Sequence, residues 1–282
     1  MTILEFKKHF KSELSGQYSE SESAFLYSIF GERILGFDLK LQRRFAHQEL
    51  LIQDQERLDE IIQELKSGKP YQHILGETEF FGETFSVNEH VLIPRPETEE
   101  LLELAISEIS NFKFQISNPK ILDIGTGSGI IPIILKKKFP NAEISALDVS
   151  EKALEKATEN AKHHHVEIHF QLLNFLYDFP AENFDIIISN PPYIGIDEEN
   201  KIHDSVKNFE PKMALFSPIQ DPLIFYRRIA EFAKNHVNEN GMIFLEINQK
   251  LGQETLQIFQ DFSEAQLLKD ISGNDRIIFV QK

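Results

Sequence analysis

Phe184-Asp185-Ile186-Ile187-Ile188-Ser189-Asn190-Pro191-Pro192-Tyr193 is the stretch on which the fold turns. Three consecutive β-branched residues, Ile186 to Ile188, suit a strand buried on both faces. Pro191 and Pro192 cannot donate ladder hydrogen bonds and they fix φ, so the strand must stop at Asn190. A polar amide, two rigid residues and an aromatic ring therefore sit at the carboxyl end of a central strand. In open parallel sheets ligands bind along that edge.

The last four residues suit methylation of a planar nitrogen. The Asn190 side-chain oxygen and the Pro191 carbonyl are two acceptors held close together. They can grip both hydrogens of an –NH2 group, which aims the nitrogen and discourages delocalisation of its lone pair. Tyr193 can pack on the flat group that carries the nitrogen. A strand ended by a plain proline turn is the competing reading. The aromatic residue and the preceding strand favour the chemical one.

Upstream, Asp123-Ile124-Gly125-Thr126-Gly127-Ser128-Gly129 follows the strand Ile121–Ile124 and opens a helix through residues 130–138. Glycines let the backbone approach a ligand, and the helix N-terminus favours a negative group such as a carboxylate. Asp148 ends the next strand about twenty residues on, where an acid accepts from ribose hydroxyls. The spacing is Gly-x-Gly-x-Gly rather than Gly-x-Gly-x-x-Gly. With an amide-gripping turn two strands later, S-adenosylmethionine fits better than NAD. Phe175, after the third strand, is placed either to stack on an adenine or to fill the core. Glu246 ends a later strand on the same edge, as a catalytic group or as support for one.

Strands and helices alternate from Lys120 onward, which argues a parallel sheet. The expected strands cover residues 121–124, 144–147, 166–173, 184–189, 241–247, 265–268 and 277–280, the last two paired antiparallel. Before them, Ile3, Phe6, Phe10 and Leu14 make a helical stripe, and a second helix runs through Ala24 to Phe30. A third carries Leu50, Leu51, Leu58, Ile61, Ile62 and Leu65. The expected organisation is a helical bundle over 1–69, a hairpin linker over 70–95 and a catalytic domain over 96–282. Pro96 and the acids after it suit the first turn of a helix.

A net charge of −16 argues against stable nucleic-acid binding or an anionic membrane surface, because phosphate contacts need clustered Lys and Arg. Zero cysteines exclude disulfides, thiolate metal sites and cysteine nucleophiles. The His163-His164-His165 run closes a helix, where cations suit the dipole, and is expected to be a solvated helix end rather than a metal tract. No metal is expected. No signal-peptide core or bilayer-length apolar run is found, in keeping with a cytoplasmic protein.

Several further segments complete a pattern: Tyr71-Gln72-His73-Ile74-Leu75-Gly76, Leu92-Ile93-Pro94-Arg95-Pro96-Glu97-Thr98-Glu99, Glu210-Pro211 with Ala214-Leu215, and Asp275-Arg276. With the Gly-rich turn and Asn190-Pro191-Pro192-Tyr193-Ile194, the chain resembles the bacterial release-factor glutamine methyltransferases (the PrmC/HemK family). The match covers nearly everything after Pro70. The Ile-Pro-Arg-Pro-Glu-Thr-Glu segment is its most specific part, while Asn-Pro-Pro-Tyr is shared with N6-adenine DNA methyltransferases. The resemblance implies a Rossmann-like α/β class I methyltransferase domain with a seven-stranded sheet, behind a small helical domain. It implies methyl transfer from S-adenosyl-L-methionine to the glutamine of the Gly-Gly-Gln loop of class 1 peptide release factors. S-adenosyl-L-homocysteine is the implied product. By that match Gly125, Thr126, Gly127, Ser128, Gly129, Asp148, Phe175 and Asn190 contact the cofactor, and Asn190, Pro191, Pro192 and Tyr193 hold the glutamine amide. Two places depart from the usual pattern: Asn174-Phe175 stands where Asp-Trp is frequent, and Asn248 where Gly is usual. An N6-adenine methyltransferase and a non-catalytic cofactor-binding module are the alternatives.

Overall fold

A computed structural model of the chain describes residues 1–112, 117–195, 198, 204–218 and 221–282. Its backbone divides into two compact units, residues 1–76 with 203–209, and residues 77–202 with 210–282.

The first unit is helical. Helix α1 (Ile3–Leu14) starts at Thr2 and α2 (Glu20–Leu35) at Ser19, each through a capping box with a Glu three residues on. Then come α3 (Leu39–Arg44), α4 (Ile52–Lys66) and α5 (Tyr71–Leu75). Phe6, Phe10, Leu14, Tyr27, Phe30, Leu58 and Ile62 form its core. Two expectations shift here. Leu50 and Leu51 precede α4 rather than lining it, and Leu51 is exposed. The short α3 and α5 hold too few apolar residues to show a helical stripe.

The second unit begins with a hairpin, β1 (Glu77–Phe80) and β2 (Glu83–Ser86). Both turn residues, Phe81 and Gly82, have positive φ, as a two-residue turn between twisted strands requires. Segment 70–95 thus divides: α5 lies in the first unit and the hairpin in the second. Helix α6 (Pro96–Phe112) follows. Its acids do more than suit the helix dipole: Glu99 accepts from the Phe81 N–H at 2.7 Å and Glu100 from the Ile271 N–H at 2.9 Å.

Next come β3 (Lys120–Ile124), α7 (Ile130–Lys138), β4 (Glu143–Asp148), α8 (Glu151–His163), β5 (His169–Leu172) and β6 (Phe184–Ser189). Short helices α9 (Asp204–Phe209), in the first unit, and α10 (Lys212–Leu215) follow. The chain closes with α11 (Ile224–His236), β7 (Val237–Glu246), α12 (Gly252–Ile258), β8 (Glu264–Lys269) and β9 (Asp275–Gln281). Seven strands form one sheet in the order β5-β4-β3-β6-β7-β9-β8. The first five run parallel, and β9 is antiparallel to both of its neighbours.

Strand alternation builds a core on each face. Ile121, Ile186, Ile188, Met242 and Phe244 pack with α6 and α7 through Leu101, Leu102, Ile133 and Ile134. Leu122, Ile124, Ile187, Ile243 and Leu245 pack on the other face with Tyr226, Ile229, Phe232 and Phe259. Strand order reverses between β3 and β6, because β4 and β5 extend to one side and β7 onward to the other. A crevice at the carboxyl ends of those two strands is the consequence.

Candidate functional site

Sequence and topology converge on that crevice. The Gly-rich turn follows β3, Asp148 ends β4, and Asn190-Pro191-Pro192 follows β6. Gly125, Gly127, Asp148, Phe175, Asn190, Pro191 and Pro192 line one cleft of about 810 Å³, counting the part open to solvent. His90 and Leu92 contribute from the loop before α6, and Pro211, Met213 and Ala214 from around α10.

The turn splits into two roles. Gly125 and Gly127 have positive φ and nothing within 4 Å of where a Cβ would stand, so their backbone is open to a ligand. Gly129 does not line the cleft. A Cβ there would stand 2.9 Å from Ala157 Cβ, so this glycine serves the packing of α7 on α8. Thr126 and Ser128 are buried and also lie off the lining. The Ser128 carbonyl accepts from Asn160 Nδ2 at 2.8 Å.

Asp148 is already engaged. One carboxylate oxygen accepts from the Gly127 N–H at 2.8 Å and the other from the Ser150 N–H at 2.9 Å. Burial pushes its carboxyl above the usual range, against the pull of those N–H groups. Each oxygen keeps a further lone pair.

Asp123 lies deeper, with its side chain fully buried. In the ladder it pairs with Ile188, itself opposite Phe244, so its carboxyl sits in the apolar layer. Neither oxygen has a hydrogen-bond partner, and neither has the Thr126 hydroxyl. Burial pushes the carboxyl up to about 7, the proximity of Thr126 opposes this, and the neighbouring Asp148 adds to it. A buried carboxyl without donors is rare and points to a ligand.

Asn190 is oriented from behind. Its Nδ2 donates to Thr98 Oγ1 at 3.1 Å, and the Thr98 hydroxyl donates to Glu246 Oε2 at 2.7 Å. Tyr193, expected at the site, does not line the cleft, and its hydroxyl donates to Glu246 Oε1 at 3.0 Å. Burial raises both the Tyr193 hydroxyl and the Glu246 carboxyl, the former reinforced by the Glu246 charge. Among the described residues no donor reaches Asn190 Oδ1 or the Pro191 carbonyl, which leaves two unpartnered acceptors on consecutive residues that line the cleft. Glu246 therefore supports the site from behind and does not enter it.

The Arg95-Pro96-Glu97-Thr98 segment and Glu210 gain reasons as well. Glu210 is buried and accepts from Arg95 Nη2 at 2.7 Å and from the Ile93 N–H at 3.0 Å. That pair ties the chain before α6 to the chain entering α10, and both border the cleft. Phe175 has one edge on the cleft, while its ring packs on Phe179 at 5.1 Å and Phe232 at 5.4 Å between centroids. The histidine run departs from expectation. His163 and His165 are exposed, but His164 packs at a tilt against Phe85, 4.6 Å between ring centroids, and donates to the Thr84 carbonyl at 2.9 Å. Among the described residues no His, Asp and Glu group could hold a metal ion, and no helix is long and apolar enough to cross a membrane.

Residues 106–208 match the methyltransferase small domain family. A release factor glutamine methyltransferase of Flavobacterium psychrophilum is 44% identical over 293 residues, covering 99% of each chain. The enzyme of that name from Streptococcus pneumoniae is 38% identical, covering 99% of this chain and 98% of that one. The chain belongs to the release factor glutamine methyltransferases. A 16S rRNA methyltransferase of T. thermophilus, in complex with AdoMet and guanosine, shares the fold with a TM-score of 0.52 at 18% identity, over 73% of this chain and 49% of that one. The family membership makes this chain a methyltransferase, and its sheet is that of the class I methyltransferase fold.

Two features of this family member escaped the sequence reading. Thr98 was legible only as a polar residue in a helix first turn. Asp123 was legible only as the start of the Gly-rich turn.

Proposed function

We propose that the cleft methylates the side-chain amide nitrogen of the glutamine in the Gly-Gly-Gln motif of class 1 release factors, with S-adenosyl-L-methionine as donor and Asn190 to Tyr193 as the acceptor pocket. One observation carries the reading: Thr98 accepts one Asn190 amide hydrogen at 3.1 Å, which fixes the nitrogen end of the amide and leaves the Asn190 oxygen and the Pro191 carbonyl as two acceptors without a partner among the described residues. A primary amide offers two N–H groups to such a pair.

The chain's residues fit the donor. Gly125 and Gly127 leave open backbone for its amino-acid part, and the orphaned Asp123 carboxyl is the natural partner of its ammonium group. Asp148 has lone pairs left for ribose hydroxyls, and Phe175 presents an apolar edge to the base. When bound, S-adenosylmethionine supplies an electrophilic methyl on sulfur and leaves as S-adenosylhomocysteine. Asn190 and Pro191 accept the two N–H hydrogens and aim the lone pair. The held nitrogen would take that methyl group and give up one proton to solvent, with Asn190 and Pro191 keeping it in line. Glu246 does not line the cleft and both its oxygens are taken by Thr98 and Tyr193, so the rate comes from orientation and water exclusion rather than from a general base. The reading needs no metal, takes a release factor as its protein partner, and places the enzyme in the cytoplasm.

Residues 96–282 are read as the catalytic domain, with His90 and Leu92 before it adding to the cleft, and the helices of 1–69 as an accessory one. Incubating the enzyme with a release factor and labelled cofactor tests the substrate. Label on the Gly-Gly-Gln glutamine is expected, and label on DNA adenine would transfer the enzyme to the rival class.

A further inference from the structure

We propose that Thr98 is a positioning residue that fixes the Asn190 amide with its oxygen toward the substrate, and that Glu246 gives Thr98 this polarity. The inference rests on the reading that Asn190 grips the substrate amide.

A hydroxyl carries one proton and can donate or accept, so on its own Thr98 could face either end of an amide. Glu246 removes the choice. It is 1% exposed, and its two oxygens accept from Thr98 at 2.7 Å and Tyr193 at 3.0 Å. With one oxygen accepting from Tyr193 and the other from Thr98, the Thr98 proton points at Glu246. The Thr98 oxygen then presents lone pairs to Asn190 at 3.1 Å, and only Nδ2 can answer with a proton. An Asn190 turned the other way would set its oxygen against a bare oxygen. The same carboxyl group holds the Tyr193 hydroxyl, so both ends of the acceptor stretch are referenced to one buried side chain. Tyr226 donates to the Glu246 backbone carbonyl at 3.0 Å, which steadies that strand end. Thr98 does not line the cleft, so it acts on the substrate only through Asn190.

The test is a double-mutant cycle on the full-length enzyme, with turnover on a release factor and cofactor affinity by calorimetry as separate readouts. Thr98→Val is expected to lower kcat about tenfold, the loss of one oriented hydrogen bond, with cofactor affinity unchanged. Thr98→Ser restores the hydroxyl and the rate. In an Asn190→Ala background, Thr98→Val should change kcat less than about twofold, because its target is gone. Thr98→Ala, run beside valine, keeps the cycle readable if the valine variant loses cofactor binding through misfolding. Wild-type kcat in both Thr98→Val and Thr98→Ala, beside an impaired Asn190→Ala, overturns the inference alone. So does a full tenfold loss in the double variant, which marks a general structural role. Unimpaired turnover in Asn190→Ala overturns the reading of the pocket and this inference with it.

Discussion

Asp123→Asn separates stability from binding. In the ligand-free protein the carboxyl is fully buried and has no hydrogen-bond donor, and it titrates at about 7 instead of the ordinary 3.8. At about 1.4 kcal/mol per pH unit, ionising it in the folded state costs on the order of 4 kcal/mol. The sign follows from proton counting. Between pH 3.8 and about 7 the folded chain holds this proton and the unfolded chain has lost it, so stability falls as pH rises through that window and levels off above it. Asparagine has no charge to bury. The ligand-free variant should therefore gain stability over wild type as pH rises from 5 to 8, with the full difference on the order of 4 kcal/mol above pH 7. Cofactor binding should move oppositely. Asparagine cannot pair with the ammonium group, and losing a hydrogen bond to a charged group costs about 1.5–3 kcal/mol, tenfold or more in affinity. Chemical denaturation at pH 5, 6.5 and 8, with calorimetric titration of cofactor at pH 8, reads both. A stability difference that does not change with pH, or undiminished affinity, would refute the argument that this carboxyl waits for a cation.

Two further outcomes follow from other contacts. Asp148→Ala should weaken cofactor binding about tenfold or more by calorimetry, since the carboxylate both orders the Gly127 N–H and faces the cleft; unchanged affinity removes it from the site. Arg95→Ala leaves the buried Glu210 without its guanidinium and should cost about 3 kcal/mol in denaturant unfolding, with Arg95→Lys recovering only part of it; no loss would mean the pair is not a structural tie.

The parallel sheet was legible because its strands are short apolar runs with abrupt stops. Ile186 to Ile188 end at two prolines, and Ile121 to Ile124 end at a Gly-rich turn. Their shared edge then gathers the Gly-rich turn, Asp148 and Asn190 without further information. Less was legible where one residue serves two masters. Gly129 belongs to the same turn as Gly125 and Gly127, yet only the approach of Ala157 reveals that it packs helices. The short β5, four residues long, was overextended, because Val166 and Ile168 are apolar but precede the ladder. Partnerships between distant residues left no mark at all. Thr98 finds Glu246 148 positions on, and Arg95 finds Glu210 115 positions on. No local pattern announces such pairs, so the supports behind Asn190 emerge only once the sheet has brought β7 beside β6.

Single-turnover methylation of a release factor by Asn190→Ala, followed by peptide mass spectrometry, tests the central claim most directly. An unperturbed amide nitrogen is a poor nucleophile, and without Asn190 one of its hydrogens is ungripped and the amide can rotate off line. Removing one preorganised polar group at a reacting centre lowers the rate by about 10²–10³. The account predicts a loss of that size at the Gly-Gly-Gln glutamine, with cofactor affinity largely kept. A near-normal rate of glutamine methylation in Asn190→Ala would contradict it.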